Sequence, residues 1–226
     1  MKDNLITMGF PLRGEWMAPN TPGSAIPSHG TNALGSRYAY DFIKVDWNRN
    51  GLPAYKASLL RYLIFGLPIS QYYCWGEKVY APCDGRVVLV KDGIEERSRT
   101  NVWGDMVRAY KNARYFDPKK ENIESVAGNY IIIKYSEDVY AALVHLQKDS
   151  LQVSLGQQVK KGECLGRVGH SGNSYAPHLH FQLMDSIDFS NAKGLPCAFE
   201  HYELLREGRW QDISRGIPTN KDRIRL

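Results

Sequence analysis

The chain has 226 residues, 43% of them hydrophobic and 23% charged, which is enough for one full-sized core and argues against wholesale disorder. A net charge of +5 is compatible with an anionic polymer as partner, yet it is too weak to argue nucleic-acid binding, because no run of Lys and Arg interleaves with aromatics, and no nucleic-acid partner is expected. The four cysteines, Cys74, Cys83, Cys164 and Cys197, form no CxxC pair and read as reduced thiols rather than a zinc knuckle.

The opening residues, MKDNLITMGFPLRGEW, lack the apolar core of a secretory signal. The most apolar run, ASLLRYLIFGLPI from Ala57, is broken by Arg61, Gly66 and Pro68 and is too short to span a membrane. The expectation is a cytoplasmic protein with no membrane insertion; the alternative location is the cell wall, or secretion by an unusual route. The sequence carries no signal of oligomeric state.

A loop rich in glycine and serine, GSAIPSHGTN, carries His29. Residues 36–45, SRYAYDFIKV, alternate as a strand that places Ala39, Asp41 and Ile43 on one face. Asp41 is flanked by aromatics, a setting in which an unpaired carboxylate is costly. Arg37 or Lys44 would be its ordinary partner. Residues 48–72 contain YKASLLRYLIFG, whose apolar spacing predicts a short helix. KVYAPCDGRVVLV (78–90) reads as strand, Asp84-Gly85 turn, strand. Residues 92–127 are polar, with a helical piece in DMVRAYKNARYF. GNYIIIKY (128–135) and VYAALVHLQ (139–147) predict a hairpin around Ser136-Glu137-Asp138. QQVKKGECLGRVG (157–169) gives two very short strands and PHLHFQLMD (177–185) another. The C-terminal region, from GLPCAFEHYELL, adds a further strand or two. Residues 48–72 and 92–127 are therefore insertions, partly helical, in a β scaffold.

In a strand, residues i and i+2 share a face, so His178 and His180 point the same way. An isolated strand histidine is more often a hydrogen-bonded structural residue, and HxH alone is a weak metal signal. Three strand histidines (His145, His178, His180), a loop histidine and an Asp among aromatics form a joint pattern that structural roles explain less easily. Hydrolytic zinc sites use three nitrogen or oxygen ligands and keep one position open. His170, in GRVGHSGNS, reads as a turn residue rather than a ligand, and His201 as structural.

These motifs resemble a known family. HLH preceded by SGNSYAP, GQQVKKGECLGRVG upstream of it, GEKVYAPCDGRVV, GNYIIIKY and VHL are together similar to the motifs of the zinc metallopeptidases of the lysostaphin type. The likeness covers residues 76–91 and 128–185, with Tyr38 to Phe42 as the end of a first motif. It implies a mainly β fold, an antiparallel folded-over sheet sandwich of the duplicated hybrid motif type with short helical insertions. It also implies one metallopeptidase domain over 1–226, with 186–226 as a C-terminal extension packed on it. The activity implied is zinc-dependent endopeptidase cleavage of peptide bonds in peptidoglycan cross-links, through a metal-activated water.

Carried over by motif, His180 and Asp41 are zinc ligands, and His145 and His178 are catalytic. The family's first motif is His, three residues, Asp; here position 37 is Arg, so His29 stands as the third ligand, with eleven residues between it and Asp41. Tyr40, Trp75, Trp103 or Tyr175 would line a groove for an extended peptide. A metal-free relative that binds or regulates a cell-wall hydrolase is the alternative. A carrier or phosphocarrier role, hinted at by the half-motif around Lys161, fits worse, because it leaves the HxH and Asp41 without a purpose.

Overall fold

The computed structural model describes residues 5–105, 107 and 122–226. Its strands in chain order are β1 (Ile6–Met8), β2 (Glu15–Asn20), β3 (Tyr40–Ile43), β4 (Leu67–Pro68), β5 (Lys78–Tyr80), β6 (Gly85–Lys91), β7 (Arg99–Thr100) and β8 (Asn129–Ser136). They continue as β9 (Val139–Leu146), β10 (Gln158–Val159), β11 (Cys164–Arg167), β12 (Leu179–Met184), β13 (Gly194–Leu195), β14 (Cys197–Arg206), β15 (Arg209–Gly216) and β16 (Ile224–Arg225). Twelve of them make one sheet along the path β1-β14-β16-β2-β3-β12-β9-β8-β6-β10, with β13 on β12 and β15 on β14. Its described pairings are antiparallel except β1 with β14. The expectation of a mainly β, largely antiparallel fold is borne out.

Period two builds the two faces of this sheet. Leu179, Phe181 and Leu183 of β12, Ala141 and Leu143 of β9, and Tyr40 and Phe42 of β3 point to the main core. There they meet Trp16, Phe10 and Phe199, and Phe10 and Phe199 pack at 4.5 Å between ring centroids. Burying aromatics of this size is worth about 1.5–3 kcal/mol each. The opposite face carries Ala142, Val144, Ile132, Tyr130 and Met184, closed by Phe189 and Ala127. At the centre of that face the apolar run gives way to His180, Asp41 and their neighbours.

The predicted hairpin over 128–147 forms as β8 and β9. Two expectations change. Residues 36–38 are not strand: they lie in a 3-10 segment over Ala33–Tyr38, kinked where Leu34 and Gly35 take positive φ angles of 56° and 73°, and β3 starts at Tyr40. The strands around Asp84-Gly85 do not pair with each other; β5 pairs with β11, while β6 pairs with β8 and β10.

The helix expected in the first insertion forms over Leu59–Phe65, capped by the Ser58 side chain. The second insertion ends in a short helix, Glu124–Ala127, and most of DMVRAYKNARYF lies outside the described residues. Among the described residues no helix is long and apolar enough to cross a membrane. The C-terminal strands β14 and β16 join the main sheet beside β1 and β2.

Candidate metal centre

Three neighbouring strands and one loop build the site. In the ladder, His180 of β12 stands opposite Asp41 of β3 on one side and Val144 of β9 on the other. The same register sets Asn20 of β2 opposite Asp41. The His29 loop is held from two sides. Ser28 N donates to Arg37 O (3.0 Å), and Thr21 Oγ1 donates to Pro218 O (2.6 Å) in the C-terminal segment.

His29 Nε2 lies 2.9 Å from Asp41 Oδ2, and His180 Nδ1 lies 2.9 Å from Asp41 Oδ1. His178 Nε2 is 3.4 Å from the same Oδ1, and Asn20 Nδ2 donates to Oδ2 at 2.7 Å. The ordinary partners of Asp41 are engaged elsewhere: Arg37 holds Asn32 and Tyr38, and Lys44 pairs with Glu77. Four imidazoles line one cleft, with the His145 ring 4.8 Å from that of His178.

His145 reaches this cleft through a bulge. Strict alternation after Val144 would aim His145 into the main core and Leu146 out of it. Instead, two residues of β9 (Val144 and His145) oppose the single Tyr130 of β8, and His145 takes φ 62°. The extra residue swaps the faces, so Leu146 enters the main core and His145 lines the cleft.

Backbone and side-chain acceptors order the imidazole protons. A carbonyl only accepts, so a ring nitrogen facing one carries the hydrogen. His145 Nδ1 donates to Ser171 O (3.0 Å), and His178 Nδ1 to Ala176 O (2.7 Å), leaving each Nε2 towards the cleft. Gln182 donates from Nε2 to Leu34 O (2.7 Å), which fixes its Oε1 as acceptor for His180 Nε2 at 2.8 Å. His180 therefore presents an unprotonated Nδ1 to the centre. Gln182, Asn20 and these carbonyls escape the motif reading. Gln182 had a signal, since it stands two residues after His180 and so on the same face.

Burial would raise the Asp41 carboxyl. The charge on His178 and its hydrogen bond, with the His180 and His29 rings close by, instead hold it well below the ordinary carboxylate range. Burial, followed by repulsion from His178 and His180, presses His145 well below the ordinary histidine range. For His178 burial acts downwards, but the Asp41 charge and hydrogen bond prevail and raise it.

Among the described residues, two sets of donors have their ligand atoms within 4.8 Å of one another: His29, Asp41 and His180, and His145, His178 and His180. Only the first contains a carboxylate, and a set of nitrogen and oxygen donors suits zinc. Cys74, Cys83 and Cys197 are buried in the main core, and among the described residues no cysteine belongs to either donor set. The cleft above has a volume of about 890 Å3, with one wall formed by Ile123, Val126, Ala127 and Phe189. Of the aromatics expected at a groove, Tyr175 lines the cleft, whereas Tyr40 is a core residue bonded to Cys197 O. Trp75 supports Glu96 through its indole N–H, and Trp103 is exposed. His170 is fully buried in its turn and belongs to neither donor set.

Residues 100–192 match the family described as Peptidase family M23, a stretch that includes His145, His178 and His180 but leaves out His29 and Asp41. Among curated relatives, "Peptidoglycan DD-endopeptidase ShyA" of Vibrio cholerae is 36% identical over 58 residues, 26% of this chain and 13% of that protein. "Glycyl-glycine endopeptidase ALE-1" of Staphylococcus capitis is 33% identical over 97 residues, 42% of this chain and 26% of that protein. The chain thus spans a small fraction of the length of these relatives. Among solved structures, the catalytic domain of lysostaphin from Staphylococcus simulans aligns with TM-score 0.38 and 18% identity, covering 84% of this chain and 88% of that one. The resemblance to lysostaphin-type metallopeptidases read from the motifs is borne out by the family match.

Proposed function

We propose, taking the Peptidase family M23 match as premise, that this chain is a zinc-dependent endopeptidase acting on peptide bonds in peptidoglycan cross-links. The observation that carries the reading is the convergence of His29 and His180 on opposite oxygens of the buried Asp41, each at 2.9 Å. In this reading His29, Asp41 and His180 hold the ion. Bound there, zinc supplies Lewis acidity towards water and towards the scissile carbonyl.

The chain's own groups do the rest. Asp41 stays ionised and offsets the positive charge of the site. Gln182 keeps the proton on His180 Nε2, so that Nδ1 remains a free donor atom. His145 and His178 turn Nε2 into the cleft from one side, and between them supply a proton acceptor and a proton donor for amide hydrolysis. Tyr175 and the apolar residues Ile123, Val126 and Phe189 line the same cleft beside them. Action on peptidoglycan places the working location at the cell wall.

The test is metal content after dialysis, paired with clearing of purified cell walls. One zinc per chain with loss of both clearing and zinc in His180→Ala is expected. A wild type that binds no zinc supports instead the metal-free regulator. Equal clearing by wild type and variant overturns the mechanism.

A further inference from the structure

The loop over 170–176 serves both cleft imidazoles at once. It offers Ser171 O to His145 Nδ1 at 3.0 Å and Ala176 O to His178 Nδ1 at 2.7 Å. Any shift of this loop therefore moves the proton acceptors of two rings together.

Two consecutive residues of the second insertion grip this loop from outside. Glu96 Oε1 accepts from His170 N at 2.5 Å, and Glu96 forms a β-bridge with Ser171. The Glu96 carboxylate is itself steadied by Trp75 Nε1 (3.3 Å) and Lys148 N (3.4 Å). Arg97 Nη1 donates to Gly172 O at 3.0 Å, and its Nη2 donates to Ser174 O. The same Nη2 lies 3.1 Å from His170 Nε2.

These contacts also fix a direction for the protons. A guanidinium has donors only, so His170 Nε2 accepts and His170 Nδ1 carries the hydrogen. That hydrogen goes to Ser174 Oγ at 3.1 Å. Ser174 Oγ in turn donates to Ala176 O at 2.6 Å and lies 3.1 Å from His178 Nδ1. The polarity set at Arg97 thus runs through His170 and Ser174 to the carbonyl that holds His178. The planar fork of Arg matches several acceptors at once, which an ammonium group cannot do.

We propose that Glu96 and Arg97 are positioning residues that clamp the 170–176 loop and thereby fix the ring orientation and proton position of His145 and His178. The expected effect on turnover rests on the catalytic role proposed above for those rings; the positioning itself does not.

The experiment uses the full chain labelled with 15N. In wild type, His145 and His178 each give a slowly exchanging Nδ1–H resonance. Arg97→Lys keeps the charge and loses the fork. In that variant both resonances broaden or vanish, and kcat on solubilised peptidoglycan fragments falls about 10- to 100-fold with KM nearly unchanged. Arg97→Ala behaves likewise, and added guanidinium restores the resonances and some of kcat where equal sodium chloride does not. Should Arg97→Ala fail to fold, Arg97→Lys carries the test. A folded Arg97→Lys with either resonance intact overturns the proposal; both lost with kcat unchanged supports the clamp and overturns the catalytic role proposed for the two rings. If wild type proves inactive, the proposed function fails while the resonances still decide the clamp.

Discussion

The bulge at His145 makes a prediction whose sign opposes ordinary strand behaviour. In a regular strand valine is favoured over glycine by about 1 kcal/mol, because branched side chains suit a pleated surface. His145 instead has φ 62°, a left-handed backbone that costs an L-residue about 1–2 kcal/mol and a β-branched one most of all. Glycine pays no such penalty. Both His145→Val and His145→Gly remove the imidazole and its bond to Ser171 O, so that loss cancels between them. What is left is the left-handed cost to valine, less the extra chain entropy that glycine loses, about 0.5–1 kcal/mol, so His145→Gly should be the more stable variant by about 1 kcal/mol. In a chain of this size that corresponds to a melting point higher by roughly 2–4 °C. Calorimetry on the two metal-free variants reads it directly. A valine variant as stable as the glycine variant, or more so, would mean that the backbone at 145 is not held left-handed, and the account of how this side chain reaches the cleft would fall.

Other expectations follow from single contacts. Gln182→Leu leaves the His180 Nε2 proton without its acceptor, and zinc affinity should fall about 10- to 100-fold in a chelator competition; wild-type affinity would contradict the tautomer assignment. Burial pushes the thiols of Cys74, Cys83 and Cys197 up to about 12, so at pH 8 they stay protonated and shielded. Mass spectrometry after brief alkylation of the native protein should find label on Cys164 alone, and early label on any of the other three would count against the core described. A Cβ at Gly169 would lie 2.3 Å from Gln147 N and 2.5 Å from the Leu146 carbonyl carbon, directly beside the bulge. Gly169→Ala should therefore cost about 1–3 kcal/mol, seen as a lower melting point, and an unchanged one would show that the neighbouring strand gives way freely.

The features of this site that sequence makes legible are those written within one strand. His178 and His180 share a face because they are two residues apart, and Asp41 stands out because a carboxylate between Tyr40 and Phe42 needs partners. The hairpin over 128–147 follows from two apolar runs around a polar turn. What period two cannot express is a change of phase. Alternation assigns His145 to the core, and it is the joint histidine pattern together with the family resemblance that singles it out. The physical device, one extra residue opposite Tyr130, depends on pairing between strands and leaves no local mark. The same holds for His29. Its approach to Asp41 depends on the 3-10 turn over Ala33–Tyr38 and on the anchoring of Thr21 to Pro218, a contact between residues 197 apart.

These two failures of local reading share a cause. At position 145 a straight strand would satisfy backbone propensity, yet the chain holds a left-handed residue there and turns a buried, neutral imidazole towards other histidines. Strain of about 1–3 kcal/mol persists only where surrounding contacts over-determine it. Here those contacts are identifiable: Ser171 O binds the ring, Gly169 N donates to His145 O at 3.1 Å, and the Asn129 side chain donates to Leu146 O at 3.1 Å. Ser171 Oγ reaches Leu146 O as well, at 2.8 Å. Each belongs to the framework that also carries the 170–176 loop or its neighbours. The local rule is broken where several neighbouring groups bond the backbone and the ring, the pattern expected when a fold sacrifices some local stability to aim a side chain into a cleft.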